Sequence, residues 1–148
     1  MLAAVHANGE DARPAKGAVR EVHTAAVAAT LEYSPDLDGL ADPGEVVWAW
    51  VPFEEDPGRG KDRPLLVVGR HRRALLGLML TSRTPDRHEV NDCLDLGSGR
   101  WDRDGRRSYV RLDRVFELNE DDIRREGSVL EPERFSLVVA ALRRLGWR

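Results

Sequence analysis

Cysteine is nearly absent from this 148-residue chain, which has a single thiol at Cys93. One cysteine excludes an internal disulfide and any zinc cluster built from cysteines. Aromatic residues make up only 6% of the sequence, and no apolar run approaches the roughly 20 residues that span a bilayer. The first residues also lack the basic start and long apolar centre of a secretory signal. We therefore expect a cytoplasmic protein without a membrane-spanning segment.

The motifs of several enzyme classes are missing as well. The sequence has no phosphate-cradling GxxxxGK[ST] loop, no HExxH and no spaced set of histidine and cysteine ligands. His71 and His88 lie in polar segments, where histidines are ordinarily exposed surface residues. Glu54, Glu55 and Asp56 could bind a cation or act in acid–base chemistry, but such groups more often solvate a loop or pair with nearby cations. We predict no metal site and no cofactor.

Net charge and length limit the kinds of binding site and the number of domains that the chain can have. The chain carries a formal charge of −3, so a nucleic-acid site would have to be a local basic patch. Residues 1–42 are rich in alanine, glycine, proline and charged residues, which bury too little surface to offset their ordering entropy. We expect a flexible N-terminal extension at 1–42, with a short helix at Glu21–Thr30 and an edge strand at Leu31–Tyr33. One compact domain would follow at 43–148.

The stretch from Gly44 to Gly69 has the clearest organisation. Its apolar runs Val46–Val51 and Leu65–Val68 are short, rich in valine and leucine, and bounded by glycine or proline, which predicts two buried strands. The charged segment Glu54–Asp62 between them predicts a mobile loop. Pro64 forces the residue before it into an extended conformation, so Arg63 should stand at the mouth of the second strand.

Further strands and a terminal helix complete the prediction. Asn119 and the acids after it predict a short helix that ends near Gly127. Pro132 suits a first helical position, and an apolar face follows it. The whole pattern predicts a mainly β small barrel with a short helix and a C-terminal helix. The remaining predicted strands are Ala74–Ser82 (with a helix as the competing interpretation), Cys93–Leu96, Ser108–Leu112 and Val115–Leu118, the last two joined by a tight turn at Asp113-Arg114.

Cations cluster around the second strand. A charge run of this kind is usually a solvated surface. Arg63 differs because it is fixed beside Pro64. Its guanidinium group can bind a phosphate in a bidentate manner and stabilise charge that develops there. Thr81 and Ser82 end the neighbouring strand, where their hydroxyls either point at the same site or make an ordinary strand-end hydrogen bond. The clustered cations are Arg59, Lys61, Arg63, Arg70, Arg72 and Arg73.

Four segments and the final helix together resemble a known family. WAWVPFEED followed by GKDRPLLVVG, then LGLMLTSR, then SYVRLDRVFELNEDDI and a final helix, is similar to the PemK/MazF family of type II toxin–antitoxin endoribonuclease toxins. Members open with a G-[DE]-[IV]-[VIY]-W-type strand, continue into R-P-[VA]-[LV]-V, and later carry a V-x-L-D-[RQ]-[VI] motif. The resemblance extends from about Pro43 to the end of the chain.

The resemblance implies both a fold and an activity. It implies an SH3-like barrel that forms a homodimer, is inhibited by a cognate antitoxin and binds DNA together with it. The implied reaction is metal-independent cleavage of single-stranded RNA by the ribose 2′-OH, leaving a 2′,3′-cyclic phosphate and a 5′-OH. Arg63 and Thr81 match the family's catalytic positions, with the alignment of Thr81 against Ser82 left open. The implied substrate-binding residues are Lys61, Ser82, Arg83, Glu54 and Arg59.

Two other hypotheses stay open on the sequence alone. The first loop, DPGRGKD, differs from the family's S-E-Q-type element, and the overall charge is negative. Both features suit a catalytically silent SH3-like barrel that binds a partner protein or RNA. A plain structural domain would fit the charge run, but it would not explain why Arg63-Pro64 and Thr81 occur together.

Overall fold

The computed structural model describes residues 10–12, 19–23, 30–35 and 40–147. Within these residues the fold is mainly β, with nine strands in one antiparallel sheet and a single α-helix near the C-terminus. The sheet curls into a half-barrel, so the predicted small SH3-like barrel with a C-terminal helix is confirmed. No helix in this part of the chain is long and apolar enough to cross a membrane.

The strand order places the longest strands at the centre of the sheet. The main path runs β2-β8-β6-β5-β4-β9, while β1 and β3 pair with β5, and β7 pairs with β8. The elements are β1 (Glu10–Ala12), β2 (Arg20–Val22), β3 (Thr30–Leu31), β4 (Glu45–Pro52), β5 (Arg59–His71), β6 (Ala74–Thr81), β7 (Cys93–Gly97), β8 (Ser108–Leu118), β9 (Ile123–Val129) and α1 (Pro132–Arg144).

The sheet buries apolar side chains on both faces, as the unbroken apolar runs predict. Alternate residues of a strand point to opposite faces, so Leu66 and Val68 join one cluster while Leu65 and Val67 join another. The helix α1 packs on the first cluster through Phe135 and its neighbours Val138, Ala141 and Leu142. The second cluster continues, at one end of β5 and β6, into a polar pocket.

The loop before β5 is shorter than the sequence predicts. The prediction of a loop over Glu54–Asp62 is wrong in its second half, because β5 begins at Arg59 and Gly60 pairs with Pro52 of β4. Backbone pairing does not require apolar side chains, so charged residues extend the strand. Gly60 permits this pairing: a Cβ there would lie 2.1 Å from the carbonyl oxygen of Val51.

The turn predicted at Asp113-Arg114 is also wrong, since β8 runs unbroken from Ser108 to Leu118. Leu78 pairs with Val115 and Leu80 with Val110, so two steps along β6 correspond to five steps along β8. The extra residues form a bulge. A bulge bends a strand and re-aims its side chains, and here it carries two arginines towards the pocket.

The helix predicted from Asn119 to Gly127 does not form. The capping box is present, with the Asn119 N–H donating to the Asp122 carboxylate at 2.6 Å, but it supports only a 3-10 turn at Glu120–Asp122. The chain then becomes β9 and pairs with β4. A cap without an amphipathic face to bury is insufficient, because most helical stability in proteins comes from packing.

Parts of the N-terminal extension are ordered against the sheet. The helix predicted at Glu21–Thr30 is wrong at its start, where Arg20–Val22 is a strand, and the rest of it lies outside the described residues. The predicted edge strand near Leu31 corresponds to Thr30–Leu31, which pairs with β5. The wider prediction of a flexible extension falls largely on residues that the structure does not describe.

Candidate active site

A pocket of about 190 Å³ lies at the end of the second apolar cluster. Its walls come from the end of β4 and the loop after it, from β5, from β6 and from the bulge of β8. Four arginines face two glutamates in it, so the pocket is basic although the whole chain is acidic. It is lined by Pro52, Phe53, Glu54, Glu55, Arg63, Met79, Thr81, Arg83, Arg111 and Arg114.

Strand register brings Arg63 and Thr81 to this pocket. Leu65 of β5 pairs with Met79 of β6 in antiparallel orientation. Arg63 precedes Leu65 by two residues and Thr81 follows Met79 by two, so both lie at the same end and on the same face of the strand pair. These two residues, predicted from the sequence as a pair, are therefore neighbours in the wall of one pocket.

Arg63 is a half-buried cation without a fixed counter-ion. Among the residues that the structure describes, it makes no ion pair and no side-chain hydrogen bond. Burial, followed by the positive charges of Arg114 and Arg111, lowers the pKa of Arg63, and the carboxylate of Glu55 opposes this shift only in part. A cation held in these surroundings is electrostatically suited to receive an anion.

Thr81 presents a hydroxyl that is ready to donate. Its Oγ1 accepts a hydrogen bond from the backbone N–H of Arg83 at 3.2 Å. This contact fixes the oxygen and leaves the hydroxyl proton for another acceptor. Ser82 is exposed and lies outside the pocket lining, so the geometry favours Thr81 over Ser82 as the hydroxyl of the site.

The other predicted substrate-binding residues divide into two groups. Arg83 and Glu54 line the pocket, with Arg83 bound to Glu89 at 2.7 Å and Glu54 lying 3.9 Å from Arg111. Lys61 lies outside the lining, but it is on the same face of β5 as Arg63, and burial together with the Arg63 charge lowers its pKa. Arg59 is exposed at the start of β5 and does not line the pocket.

Sequence reasoning missed two pocket arginines. The guanidinium of Arg111 donates twice to Asp113, at 3.0 and 2.5 Å, and that of Arg114 donates twice to Glu21, at 3.1 and 2.9 Å. Both side chains are mostly buried, with exposed fractions of 15% and 5%. The available signal was the pattern RLDR inside an apolar strand, where an arginine has to be paired to be buried.

Oxygen and nitrogen ligands do not converge on a metal position in the described segments. No group of three or more histidine, cysteine, aspartate or glutamate side chains there is arranged to hold an ion. The polar groups that do converge are guanidinium groups and one hydroxyl, which are hydrogen-bond donors to anions.

Comparison with known proteins identifies the family of this chain. A model of the PemK-like, MazF-like toxin of type II toxin–antitoxin system family matches residues 42–146, which is well over half of the chain. The chain therefore belongs to the PemK/MazF family of toxins. No curated protein matches it in a direct comparison.

Proposed function

We propose that this toxin is a metal-independent endoribonuclease that cleaves single-stranded RNA, in particular mRNA, through attack of a ribose 2′-OH on the adjacent phosphodiester. The observation that carries the proposal is the half-buried Arg63, unpaired within the described part of the chain, beside the donor hydroxyl of Thr81. A phosphate in the pocket would supply the counter-ion that Arg63 lacks. Membership of the toxin family supports the choice of RNA as the substrate.

The reaction is a transesterification. The 2′-oxygen forms a bond to phosphorus, the bond from phosphorus to the 5′-oxygen breaks, and the products end in a 2′,3′-cyclic phosphate and a 5′-OH. A base takes the 2′-OH proton, and the departing 5′-oxygen gains one. Negative charge grows on the non-bridging oxygens of the phosphorane, where preorganised donors are most effective.

The roles of the predicted site residues follow from their chemistry. Arg63 would bind the non-bridging oxygens through its fork, and Thr81 would donate its hydroxyl proton to one of them. The carboxylates of Glu54 and Glu55 are the proton acceptors in the lining, since an arginine side chain does not deprotonate. Lys61 and Arg59 lie nearer the start of β5, and Ser82 and Arg83 follow the end of β6. These four residues would bind phosphates on either side of the cleaved bond.

Family membership supports the proposed partners as well. We propose a homodimer that is inhibited by a cognate antitoxin, binds DNA together with that antitoxin, and acts on mRNA in the cytoplasm. Residues 43–148 would form the toxin domain, with 1–42 as an extension that contributes strands to its sheet. No cofactor is proposed.

The direct test incubates purified protein with single-stranded RNA in the presence of EDTA. Cleavage that leaves 2′,3′-cyclic phosphate ends, and that is lost in Arg63→Ala, supports the proposal. Arg73→Ala is the matched control, because it removes the same charge from an exposed hairpin turn at the other end of β5. No cleavage by the unmodified protein, or equal cleavage by Arg63→Ala, would refute it.

One observation favours a second function, a catalytically silent barrel that binds a partner protein or RNA. Three of the four pocket arginines are already paired with carboxylates, Arg83 with Glu89, Arg111 with Asp113 and Arg114 with Glu21. The positive charges of these three arginines are therefore already balanced by carboxylates of the chain itself. Induced expression in a bacterial host separates the two functions: growth arrest that Arg63→Ala abolishes requires catalysis, whereas RNA binding without cleavage and without arrest indicates a binding module.

A further inference from the structure

The N-terminal extension supplies the carboxylate that pairs with one arginine of the pocket wall. Glu21 lies on β2, outside residues 42–146 that match the toxin family. The register pairs Glu21 with Phe116 of β8, and Arg114 precedes Phe116 by two residues. Diagonal neighbours on one face of a strand pair lie within reach of long side chains. Glu21 therefore meets Arg114 across the sheet, although 93 residues separate them in the chain.

Three hydrogen bonds and one cation–π contact hold the Arg114 guanidinium in one orientation. Nε and Nη2 donate to the two oxygens of Glu21 at 3.1 and 2.9 Å, and Nη2 also approaches the carbonyl oxygen of Pro52 at 3.4 Å. The guanidinium stacks over the ring of Phe116, 4.9 Å from its centre. The three hydrogen bonds use Nε and Nη2, so both protons of Nη1 have no hydrogen-bond partner among the described residues.

The Arg114 guanidinium is therefore held in place, and its hydrogen-bonding capacity is only partly used by the described residues. It lines the same pocket as Arg63, and its charge lowers the pKa of Arg63 more than the charge of any other side chain there does. A bidentate arginine–carboxylate pair fixes the plane of the guanidinium as well as its position. A donor that is held in place before the substrate arrives costs no reorganisation during the reaction.

We infer that Glu21 is a positioning residue, which holds Arg114 so that Nη1 binds a phosphate oxygen of single-stranded nucleic acid opposite Arg63. The inference rests on the proposed function for its catalytic consequence, but the anion contact itself does not require cleavage. The extension is then part of the site. It adds a strand to the sheet and, through Glu21, the partner that a buried arginine needs.

Glu21→Gln distinguishes positioning from simple charge neutralisation. If Glu21 only reduced the positive charge of the pocket, its removal would tighten RNA binding and leave kcat unchanged or higher. If it positions Arg114, kcat falls roughly 10- to 100-fold while KM stays constant or falls, because a small misplacement of a catalytic donor is costly. Glu21→Asp keeps the charge but shortens the side chain, and it should lower kcat in the same way.

Two controls tie the effect to Arg114. Arg20→Gln changes the adjacent β2 residue, whose side chain is 69% exposed and pairs with Glu117, and it should leave kcat unchanged. In the Arg114→Gln background, Glu21→Gln should have no further effect on kcat. Thermal unfolding of every variant checks whether the fold is retained. An unchanged kcat in folded Glu21→Gln and Glu21→Asp, or a full additive loss in the double variant, would overturn the inference.

A spectroscopic measurement keeps the inference testable if the protein proves not to cleave RNA. The side-chain N–H signals of Arg114 are followed by NMR as a single-stranded DNA oligonucleotide, which has no 2′-OH, is added. We expect these signals to shift in the unmodified protein and in Arg20→Gln, and to broaden without a shift in Glu21→Gln. Absence of cleavage together with this result would refute the proposed ribonuclease activity and support the contact of Arg114 with a phosphate. Signals of Arg114 that do not respond to DNA would refute the contact.

Discussion

Arg63 and Thr81 lie at the same end and on the same face of two neighbouring antiparallel strands, because Leu65 and Met79 pair two residues further in. The strands continue inward as the second apolar cluster, which contains Leu65 and Met79. The pocket is thus the polar end of an apolar face. Arg63 and Thr81 are held by the sheet rather than by loops, and sites built on strands are positioned more accurately than sites on loops.

Replacing Arg63 with methionine should stabilise the protein while abolishing the proposed activity. Arg63 is half-buried beside Arg111 and Arg114 and has no fixed counter-ion within the described residues, so folding brings like charges together there. We expect a gain of about 1 kcal/mol in the free energy of unfolding, which is within the range that a single stabilising substitution commonly gives. Urea denaturation measures it.

Arg114→Met serves as the opposite control for this prediction. That change removes a buried arginine that is paired with Glu21, so it should lower the free energy of unfolding. If Arg63→Met destabilised the protein as much as Arg114→Met does, Arg63 would be a structural arginine and not a vacant anion site.

The hydroxyl of Thr81 should matter more than its methyl group. Thr81→Ser keeps the oxygen that accepts from the Arg83 N–H, and we expect its cleavage rate to stay within a few-fold of the unmodified protein. Thr81→Val keeps the shape but removes the donor, and it should slow cleavage about 100-fold. Single-turnover kinetics at saturating protein measure both. Similar rates for the two variants would show that Thr81 contributes packing only.

Gly60 should be far less replaceable than Gly58, although they are two residues apart. A Cβ at Gly60 would lie 2.1 Å from the Val51 carbonyl oxygen, whereas at Gly58 the nearest atom would be 3.6 Å away. We expect Gly60→Ala to destabilise the protein by at least about 2 kcal/mol, because the hairpin backbone must move apart. Gly58→Ala should change stability little. Equal melting temperatures would contradict the close pairing of β4 with β5.

Tyr33 should make stability depend on pH at the alkaline end. Its hydroxyl donates to the carbonyl oxygen of Leu130 at 2.6 Å, and loss of this bond in Tyr33→Phe should cost about 1 kcal/mol at pH 7. Burial first, and then the charges of Glu133 and Glu131, raise the pKa of Tyr33. The folded state therefore holds the phenol proton more tightly than the unfolded chain does.

The sign of the pH effect follows from that difference. The contribution of Tyr33 is complete below the unfolded pKa of about 10 and is lost as pH rises through the higher folded pKa. The gap in unfolding free energy between the unmodified protein and Tyr33→Phe should narrow above about pH 10. Urea denaturation between neutral and alkaline pH measures the gap, and a constant gap would contradict the raised pKa.

The part of the site that depends on local pattern was predictable from the sequence. Pro64 restricts Arg63 whatever the rest of the fold does, and the apolar run before Thr81 marks where a strand ends. Because two strands joined by a short turn pair with each other, the two residues were expected at one end of the sheet. The barrel class and the terminal helix followed from the same local signals.

The other pocket residues and the remaining strand depend on pairing between distant segments, which a single sequence does not reveal. Arg111 and Arg114 enter the pocket because β8 bulges against β6, and the bulge residues look like a turn in the sequence. Glu21 joins them through the pairing of β2 with β8. The segment after Asn119 is a strand for the same reason. Its pairing with β4 outweighs the local helix preference of its own residues.

Chemical rescue of Arg63→Ala tests the central claim most directly. The unmodified protein, Arg63→Ala and the control Arg73→Ala are mixed with single-stranded RNA, with and without added guanidinium ion, and cleavage is followed under single-turnover conditions. We predict that Arg63→Ala is slower by roughly 100-fold or more, as expected for loss of a preorganised donor, and that guanidinium restores part of the rate. Arg73→Ala should cleave normally and not respond. Full activity of Arg63→Ala without guanidinium would contradict the assignment of Arg63 to the reacting phosphate.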